Sequence, residues 1–261
     1  MESGREDVLT ASPFESRDGF RDILPDKRAH RGPHPDDARL FAPDQWPRLR
    51  DAVRDLSWLL SREYASPSAL KLVGDRYQLD QRQRNAVSRC ACSDAARDRR
   101  QQSRVNLENL SGKTLLLDGY NVLTSIEAAL AGGVILSARD GCFRDIASIH
   151  GTWRKVEETI PGVELLGRFL HQLQLRNVVW YLDSPVSNSG RLKTMLREIA
   201  SAHGWPWEIE LVADPDSILR ETDELIATAD SAILDRCRRW VNLARSAIEH
   251  LVPNARVVDC E

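Results

Sequence analysis

The sequence contains no apolar run that approaches the roughly 20 residues a helix needs to cross a bilayer. Its first residues, from Met1 to Asp7, are polar and include no apolar signal region. Neither the pattern of a membrane helix nor that of a secretory leader is present. We therefore expect a cytoplasmic protein.

Cysteine is also scarce, with 5 in 261 residues. The number is odd and the spacing irregular, which is typical of a reducing compartment and not of a disulfide framework. Cys90 and Cys92 form the one close pair, and no second pair follows at zinc-site spacing. The pattern argues against a structural zinc site.

Lysine is rare among the 36 basic residues, most of which are arginine. Arginine pairs with phosphate through two parallel hydrogen bonds, but a codon bias towards arginine gives the same composition. The net charge of -3 does not make the whole chain attractive to polyanions. Composition alone therefore neither supports nor excludes nucleic-acid binding.

Three regions follow one another along the chain. Residues 1–45 are rich in Pro, Asp and Arg without apolar periodicity, which predicts an extended arm with one short helical turn near residues 20–24. Residues 46–104 have apolar residues at helical spacing and an arginine excess, which predicts a small basic all-α module. Residues 105–261 alternate strand-like and helical segments, with helices expected at 124–130, 163–173 and 231–248. This alternation predicts an α/β domain with a mostly parallel sheet.

The α/β region centres on the stretch Thr114-Leu-Leu-Leu-Asp118-Gly-Tyr-Asn121. A short continuous apolar run indicates a strand buried in a parallel sheet. Such sheets bind ligands at the carboxyl ends of their strands, which is where Asp118 and Asn121 fall. Gly119 permits a sharp exit from the strand. An Asp-Gly turn with a capping asparagine explains the same residues without function.

Two later strand-like segments also end near acids, Asp183 and Asp230. Parallel strands bring such ends to one edge of the sheet, where converging carboxylates repel one another unless a cation neutralises them. Oxygen ligands of this kind suit Mg²⁺ or Mn²⁺. Each acid alone is explained as a helix cap, but the three together predict a metal site of Asp118, Asp183 and Asp230. Asn121 would orient a water or a phosphate there.

Several polar residues are candidates for binding nucleic acid. The cluster of Ser187, Asn188 and Ser189 can cap a predicted helix, and a capped helix N-terminus is a ready phosphate site. The helical module contributes Arg82, Arg84 and Arg89, a basic face that can follow a phosphate backbone. A solvated helix with acids interspersed explains these arginines equally well.

A charged turn lies between the predicted strands. Arg144 and Arg154 are candidates for contacts with phosphate. Asp140 and Asp145 either bind a metal or pair with those arginines, and the pairing is the favoured interpretation.

The residues around Asp118 also carry a resemblance. Leu-Leu-Leu-Asp118-Gly-Tyr-Asn121-Val-Leu resembles the opening motif of the NYN branch of PIN-like nucleases. Asp183 after Val-Val-Trp-Tyr-Leu, and Thr228-Ala-Asp230-Ser231, resemble the later acidic strand ends of that superfamily. The whole chain is similar to a two-part family of domains of unknown function, in which a short helical module precedes a PIN-like domain.

This resemblance implies a PIN-like three-layer fold and a four-acid site that coordinates Mg²⁺ or Mn²⁺ and cuts RNA. Asp118, Asp183 and Asp230 would be ligands of the metal, with Asn121 and Ser231 as supports. The candidates for the fourth acid are Asp145, Asp214, Asp216, Asp223 and Asp235. We therefore expect a metal-dependent endoribonuclease. The alternative is a non-catalytic RNA-binding or adaptor protein on the same fold.

Overall fold

Helices precede an α/β core in the computed structural model, which describes residues 30–146 and 151–261. The helices are α1 (Asp37–Leu40), α2 (Trp46–Leu60), α3 (Ser66–Arg76), α4 (Gln81–Cys90), α5 (Asp94–Ser103), α6 (Gly119–Leu130), α7 (Thr159–Gln172), α8 (Ser189–His203), α9 (Pro215–Glu221), α10 (Ser231–Leu234) and α11 (Leu243–Leu251). The strands are β1 (Thr114–Asp118), β2 (Val134–Ser137), β3 (Phe143–Asp145), β4 (Asn177–Asp183), β5 (Trp207–Val212), β6 (Leu225–Ala227), β7 (Trp240–Val241) and β8 (Arg256–Asp259).

The central sheet has five strands in the order β5-β4-β1-β6-β7, and every pairing in it is parallel. The predicted α/β class with a mostly parallel sheet and a helical region ahead of it is confirmed. The strands β3, β2 and β8 form a separate sheet, in which β2 pairs antiparallel with β3. The sequence pattern had indicated one sheet built from alternating strands and helices and did not reveal this second sheet.

The strand β1 lies in the middle of the central sheet because both of its faces are apolar. Leu115 and Leu117 belong to the largest core cluster, while Leu116 belongs to a second cluster with Ile226 and Trp240. A strand covered on both faces has a continuous apolar run instead of an alternating one. The residues at its end are therefore held by a strand that is buried on both sides.

The helical region shares a core with the second sheet. Leu49 and Val87 of the helices belong to the same buried cluster as Leu136 of β2 and Val258 of β8. Leu40 and Phe41 are also buried there, so residues 37–45 of the predicted arm are folded, and the predicted turn at 20–24 lies outside the described residues. No helix in the described ranges is long and apolar enough to cross a bilayer.

Two helix boundaries differ from the sequence prediction. The helix α6 begins at Gly119, before its expected start at Thr124, so Asn121 lies in its first turn. The helix expected to run from residue 231 to 248 is interrupted, because Trp240 and Val241 pair as β7 with β6. A buried tryptophan beside a valine favours a strand.

Candidate functional site

Acidic residues follow the carboxyl ends of four neighbouring strands. Asp118 is the last residue of β1 and Asp183 is the last residue of β4. Asp216 lies in the first turn of the helix after β5, and Asp230 follows β6. Because these strands are all parallel, the four acids lie at one edge of the sheet. We call this group of four the acidic edge.

Asp118 is the member of the acidic edge whose protonation is most affected. Burial raises its pKa to about 7, against a favourable hydrogen bond from Thr228, and the charges of Asp230 and Asp216 raise it further. A carboxylate that is withdrawn from water and faces other carboxylates holds its proton more strongly. Asp118 therefore titrates near neutral pH.

Asp183 and Asp216 are affected in the same direction. Burial raises the pKa of Asp183, and the charges of Asp216 and Asp214 add to the effect. Burial also raises the pKa of Asp216, with Asp230 as the largest contributing charge. Asp216 thus interacts with all three acids that the sequence placed at the site. Among the candidates for a fourth acid, this arrangement favours Asp216.

Hydrogen bonds hold β1 to the loop that follows β6. Thr228 Oγ1 donates to Asp118 Oδ2 at 2.7 Å, and the Ala229 amide donates to Asn121 Oδ1 at 2.8 Å. The Asp230 amide donates to Thr228 Oγ1 at 3.0 Å. Asp230 Oδ1 accepts the amides of the first turn of α10, so one of its oxygens is a helix cap. Asn121 thus positions a loop in addition to lying at the sheet edge.

Gly119 is required because atoms of β4 lie too close to leave room for a side chain, and not because the backbone turns there. A Cβ at this position would lie 2.8 Å from the Tyr181 carbonyl oxygen and 2.6 Å from a Leu182 methyl group. The helix α6 therefore begins directly against β4. The glycine was visible in the sequence, but the close contact with β4 that requires it was not.

A buried ion network lies behind the loop of residues 228–231. Arg144 donates two hydrogen bonds to Asp140, at 2.8 and 2.7 Å, and a third to the Ala229 carbonyl. Arg100 of α5 donates to Asp140 at 2.5 Å and to Asp235 at 2.8 Å. Despite burial, the two arginines hold the pKa of Asp140 well below its usual range. Asp140 and Asp235 pair with arginines and lie apart from the acidic edge.

A polar cavity of about 330 Å³ separates α4 from the acidic edge. We call it the interface cavity, and its lining residues are Ser88, Arg89, Asn121, Ser125, Arg144, Asp145, Ala229, Asp230 and Ser231. Ser125 Oγ donates to Asp145 Oδ2 at 2.9 Å. Burial raises the pKa of Asp145, and Arg89 opposes this rise. Asp145 therefore lies in the interface cavity and not among the four acids.

The other predicted nucleic-acid contacts are distributed differently. Arg82 is bound to Asp37 at 2.5 and 2.9 Å, and Arg84 to Asp75 at 2.8 Å. These two arginines stabilise the helical region instead of forming an open basic face. Arg154 is exposed.

The predicted capping cluster lies at the start of α8, but the side chain at the N-cap position makes no capping hydrogen bond. Asn188 is the N-cap residue with φ 68°, and its side chain donates to the Trp153 carbonyl instead of accepting a helix amide. Ser189 Oγ donates to the Ser184 carbonyl at 3.4 Å, and the Ser187 amide donates to Gly151. The chain folds back here onto residues 151–153, a contact that no local pattern indicates.

The acids are spaced too widely to form a closed metal cage. Across residues 30–146 and 151–261, no three His, Cys, Asp or Glu side chains are close enough together to hold a metal ion. Mg²⁺ in enzymes commonly binds to one or two carboxylates, several waters and the phosphates of the substrate. The oxygen-only donors of the acidic edge fit that incomplete type of site. Burial raises the pKa values of Asp118 and Asp183, and neighbouring carboxylates raise them further, so a cation would relieve part of the cost of ionising them.

Sequence reasoning gave Thr228 no hydrogen-bonding role and named Asp216 only as one of several candidates for a fourth acid. Asp216 follows the third strand within Asp214-Pro-Asp216, where Pro215 begins α9 and Asp214 caps it. A proline at the first helical position is a known start signal. Applying the strand-end rule to β5 together with this signal would have placed Asp216 at the edge.

Comparison with known proteins identifies both parts of the chain. A family described as "Domain of unknown function (DUF5616)" matches residues 107–246, more than half of the chain. One described as "Protein of unknown function (DUF434)" matches residues 48–102. "Uncharacterized protein MJ0935" of Methanocaldococcus jannaschii is 31% identical over 205 residues, which cover 78% of this chain and 98% of that protein. No solved structure matches the chain significantly. The chain therefore belongs to the family of domains of unknown function DUF5616, with a DUF434 segment preceding that domain.

Proposed function

We propose that this protein is a Mg²⁺- or Mn²⁺-dependent endoribonuclease with a PIN-like domain. The observation that carries the proposal is the acidic edge, four carboxylates at the ends of neighbouring parallel strands, three of which have raised pKa values. Burial is the main cause of these raised pKa values and the neighbouring carboxylates add to it, so ionising the group is unfavourable unless a bound cation neutralises the charge. The resemblance of the Asp118–Asn121 motif to NYN-type nucleases supports the same chemistry.

The acids of the edge and the residues that position them would have different roles. Asp118, Asp183 and Asp216 would supply carboxylate oxygens to the cation, and Asp230 would do so with the oxygen that does not cap α10. A bound Mg²⁺ or Mn²⁺ would activate water and stabilise the charge on the phosphoryl group. Thr228 fixes the orientation of Asp118 through its hydrogen bond. Asn121 fixes the loop that carries Asp230.

Basic residues next to the segment that pairs with the loop after β4 support a polyanionic substrate. Arg154 and Arg191 are exposed, and Arg191 lies in the first turn of α8, the helix that comes after Asp183 in the chain. Burial lowers the pKa of Lys155, and the charge of Arg191 lowers it further, so these two cations are close together. An RNA phosphate near them would meet a favourable positive potential.

The test is cleavage of a labelled single-stranded RNA by the purified chain with Mn²⁺ or Mg²⁺, compared with EDTA. We expect cleavage in the presence of metal and a loss of about 100-fold or more in rate for Asp118→Asn and for Asp216→Asn. The matched control is Asp223→Asn, because Asp223 is an exposed acid that pairs with Arg238. Retention of full activity by Asp118→Asn would overturn the proposal.

The alternative is a non-catalytic RNA-binding or adaptor protein on the same fold. It is favoured by the structural use of these acids, since Asp230 caps α10 and Asp118 accepts from Thr228. In that case wild-type protein would bind RNA but leave it intact with every divalent metal, and Asp118→Asn would bind equally well.

A further inference from the structure

Asp145, one of the residues that line the interface cavity, has a carboxylate oxygen without a hydrogen-bond partner among the described residues. Asp145 is 6% exposed, and its Oδ1 atom is buried without such a partner in the described part of the chain. Its other oxygen accepts from Ser125. Leaving a buried acceptor unsatisfied is energetically costly, so each such group in a native protein calls for an explanation, and ligand binding is one.

The surroundings of Asp145 define what it would accept. Arg89 Nη1 lies 4.0 Å from Asp145 Oδ1 and donates to the Asp145 carbonyl at 2.8 Å. The cavity thus presents an acceptor beside a cationic group. A complementary ligand has hydrogen-bond donors next to an acceptor on one edge.

Among the four RNA bases, guanine has that edge. Its N1–H and 2-amino group are adjacent donors that both reach one carboxylate, and its O6 acceptor lies beside them. Adenine and cytosine place a ring-nitrogen acceptor next to their amino group, and uracil has one N–H between two carbonyls. Each of these would direct a lone pair at the Asp145 carboxylate.

The cavity adjoins the acidic edge, so a base bound in it would lie next to the proposed metal site. Asn121 and Asp230 line the cavity and also belong to the edge region. A volume of about 330 Å³ falls in the range of small-ligand sites. A base bound at Asp145 would therefore lie in the same cavity as Asp230.

We infer that the interface cavity binds the guanine base of an RNA nucleotide, with Asp145 as the residue that determines specificity. The inference deepens the proposed function and rests on it. Ser88 and Arg89 come from the DUF434 segment and the other lining residues from the DUF5616 domain. Base recognition would therefore use both parts of the chain, next to the acids.

The test is calorimetric titration of the whole chain with GMP, IMP and AMP in EDTA. IMP lacks the 2-amino group, and AMP lacks this pair of adjacent donors. We expect GMP to bind about tenfold or more tightly than AMP, with IMP between them. In Asp145→Asn the preference for GMP should disappear, while the control Asp223→Asn should keep it.

A second variant covers the case in which Asp145→Asn does not fold. Ser88 is an exposed residue that lines the cavity, so Ser88→Tyr should obstruct the cavity without disturbing the core, and it should weaken GMP binding about tenfold. Equal affinity for GMP and AMP, or no binding of either, overturns the inference. So does a GMP preference that survives both variants.

The RNA cleavage assay separates this inference from the proposed function. Metal-dependent cleavage together with no preference for GMP would overturn guanine recognition alone. A GMP preference that depends on Asp145, in a protein that cleaves no RNA, would overturn the nuclease and leave the base site in place.

Discussion

At the scale of single residues, Asp118 combines a fixed position with an unusual protonation. Thr228 holds its carboxylate in place, and burial raises its pKa from the ordinary 3.8 to about 7. The folded state therefore binds the proton more tightly than the unfolded state does. The stability that follows from this is fully present below about pH 4 and is lost as the pH rises through 7.

This shift predicts how Asp118→Asn changes stability in the metal-free protein. Asparagine cannot ionise but keeps an oxygen for Thr228, so the free energy of unfolding at pH 8 should rise by about 1–3 kcal/mol, with little change at pH 4. Urea unfolding at the two pH values in EDTA measures the difference. Asp183 and Asp216 shift in the same direction, so part of the pH dependence should remain.

The control for this prediction is Asp223→Asn. It removes an exposed acid and should leave the pH dependence of stability unchanged. If Asp118→Asn and wild type lose stability equally between pH 4 and pH 8, then Asp118 is not the buried, repelled carboxylate that the structure indicates.

Residue positions were predictable where a local rule applied. The strand-end rule located Asp118, Asp183 and Asp230 from their neighbours in the sequence alone. The partners of Arg82 and Asp145 could not be found this way, because Asp37 is 45 residues from Arg82 and Ser125 is 20 residues from Asp145. Such contacts depend on the tertiary fold.

At the scale of elements, α5 is the helix that anchors the loop after β6. Arg100 is buried and bridges Asp140 and Asp235. The Trp240 indole donates to the Arg100 carbonyl at 2.7 Å, which joins the same helix to β7. The loop that carries Asp230 is therefore braced by an element of the helical region.

We expect Arg100→Ala to lower the free energy of unfolding by about 2–4 kcal/mol, because it removes one partner of a buried ion network and leaves a cavity. Chemical denaturation measures this loss. The matched control is Arg97→Ala on the same helix, whose partner Asp98 is exposed, and which should change stability by about 0.5 kcal/mol or less. Equal effects of the two variants would show that the network is not what stabilises the loop.

Element types were easier to predict than element ends. The apolar runs of β1 and β4 and the periodicity of α7 were sufficient to locate those elements. The strand β7 has two residues and exists only because β6 lies beside it. Its identity depends on a pairing that the local pattern of residues does not contain.

At the scale of the whole molecule, the helical region and the α/β domain share one core. Leu136 of β2 is fully buried in the cluster that includes Leu49 and Val87 of the helices. Neither part can bury these side chains alone. The two families that match the chain are thus physically joined in one protein.

We therefore predict one cooperative unfolding transition for the chain. Far-UV circular dichroism and tryptophan fluorescence should report the same midpoint in denaturant. Leu136→Ala should lower the stability of that single transition by about 2–5 kcal/mol. The control Leu72→Ala, at a side chain that is 60% exposed, should change it by about 0.5 kcal/mol or less. Two separate transitions would contradict the shared core.

The strand order has a consequence for synthesis of the chain. Thr228, which fixes Asp118, follows it by 110 residues, and β6 is the later of the two neighbours of β1 in the chain. Domains form as the chain leaves the ribosome, and pairings between distant strands form slowly. Until β6 has been translated, the nascent chain carries Asp118 and Asp183 without the strand that holds the edge together. The acidic edge is therefore assembled only after the segment that carries β6 and Thr228 has left the ribosome.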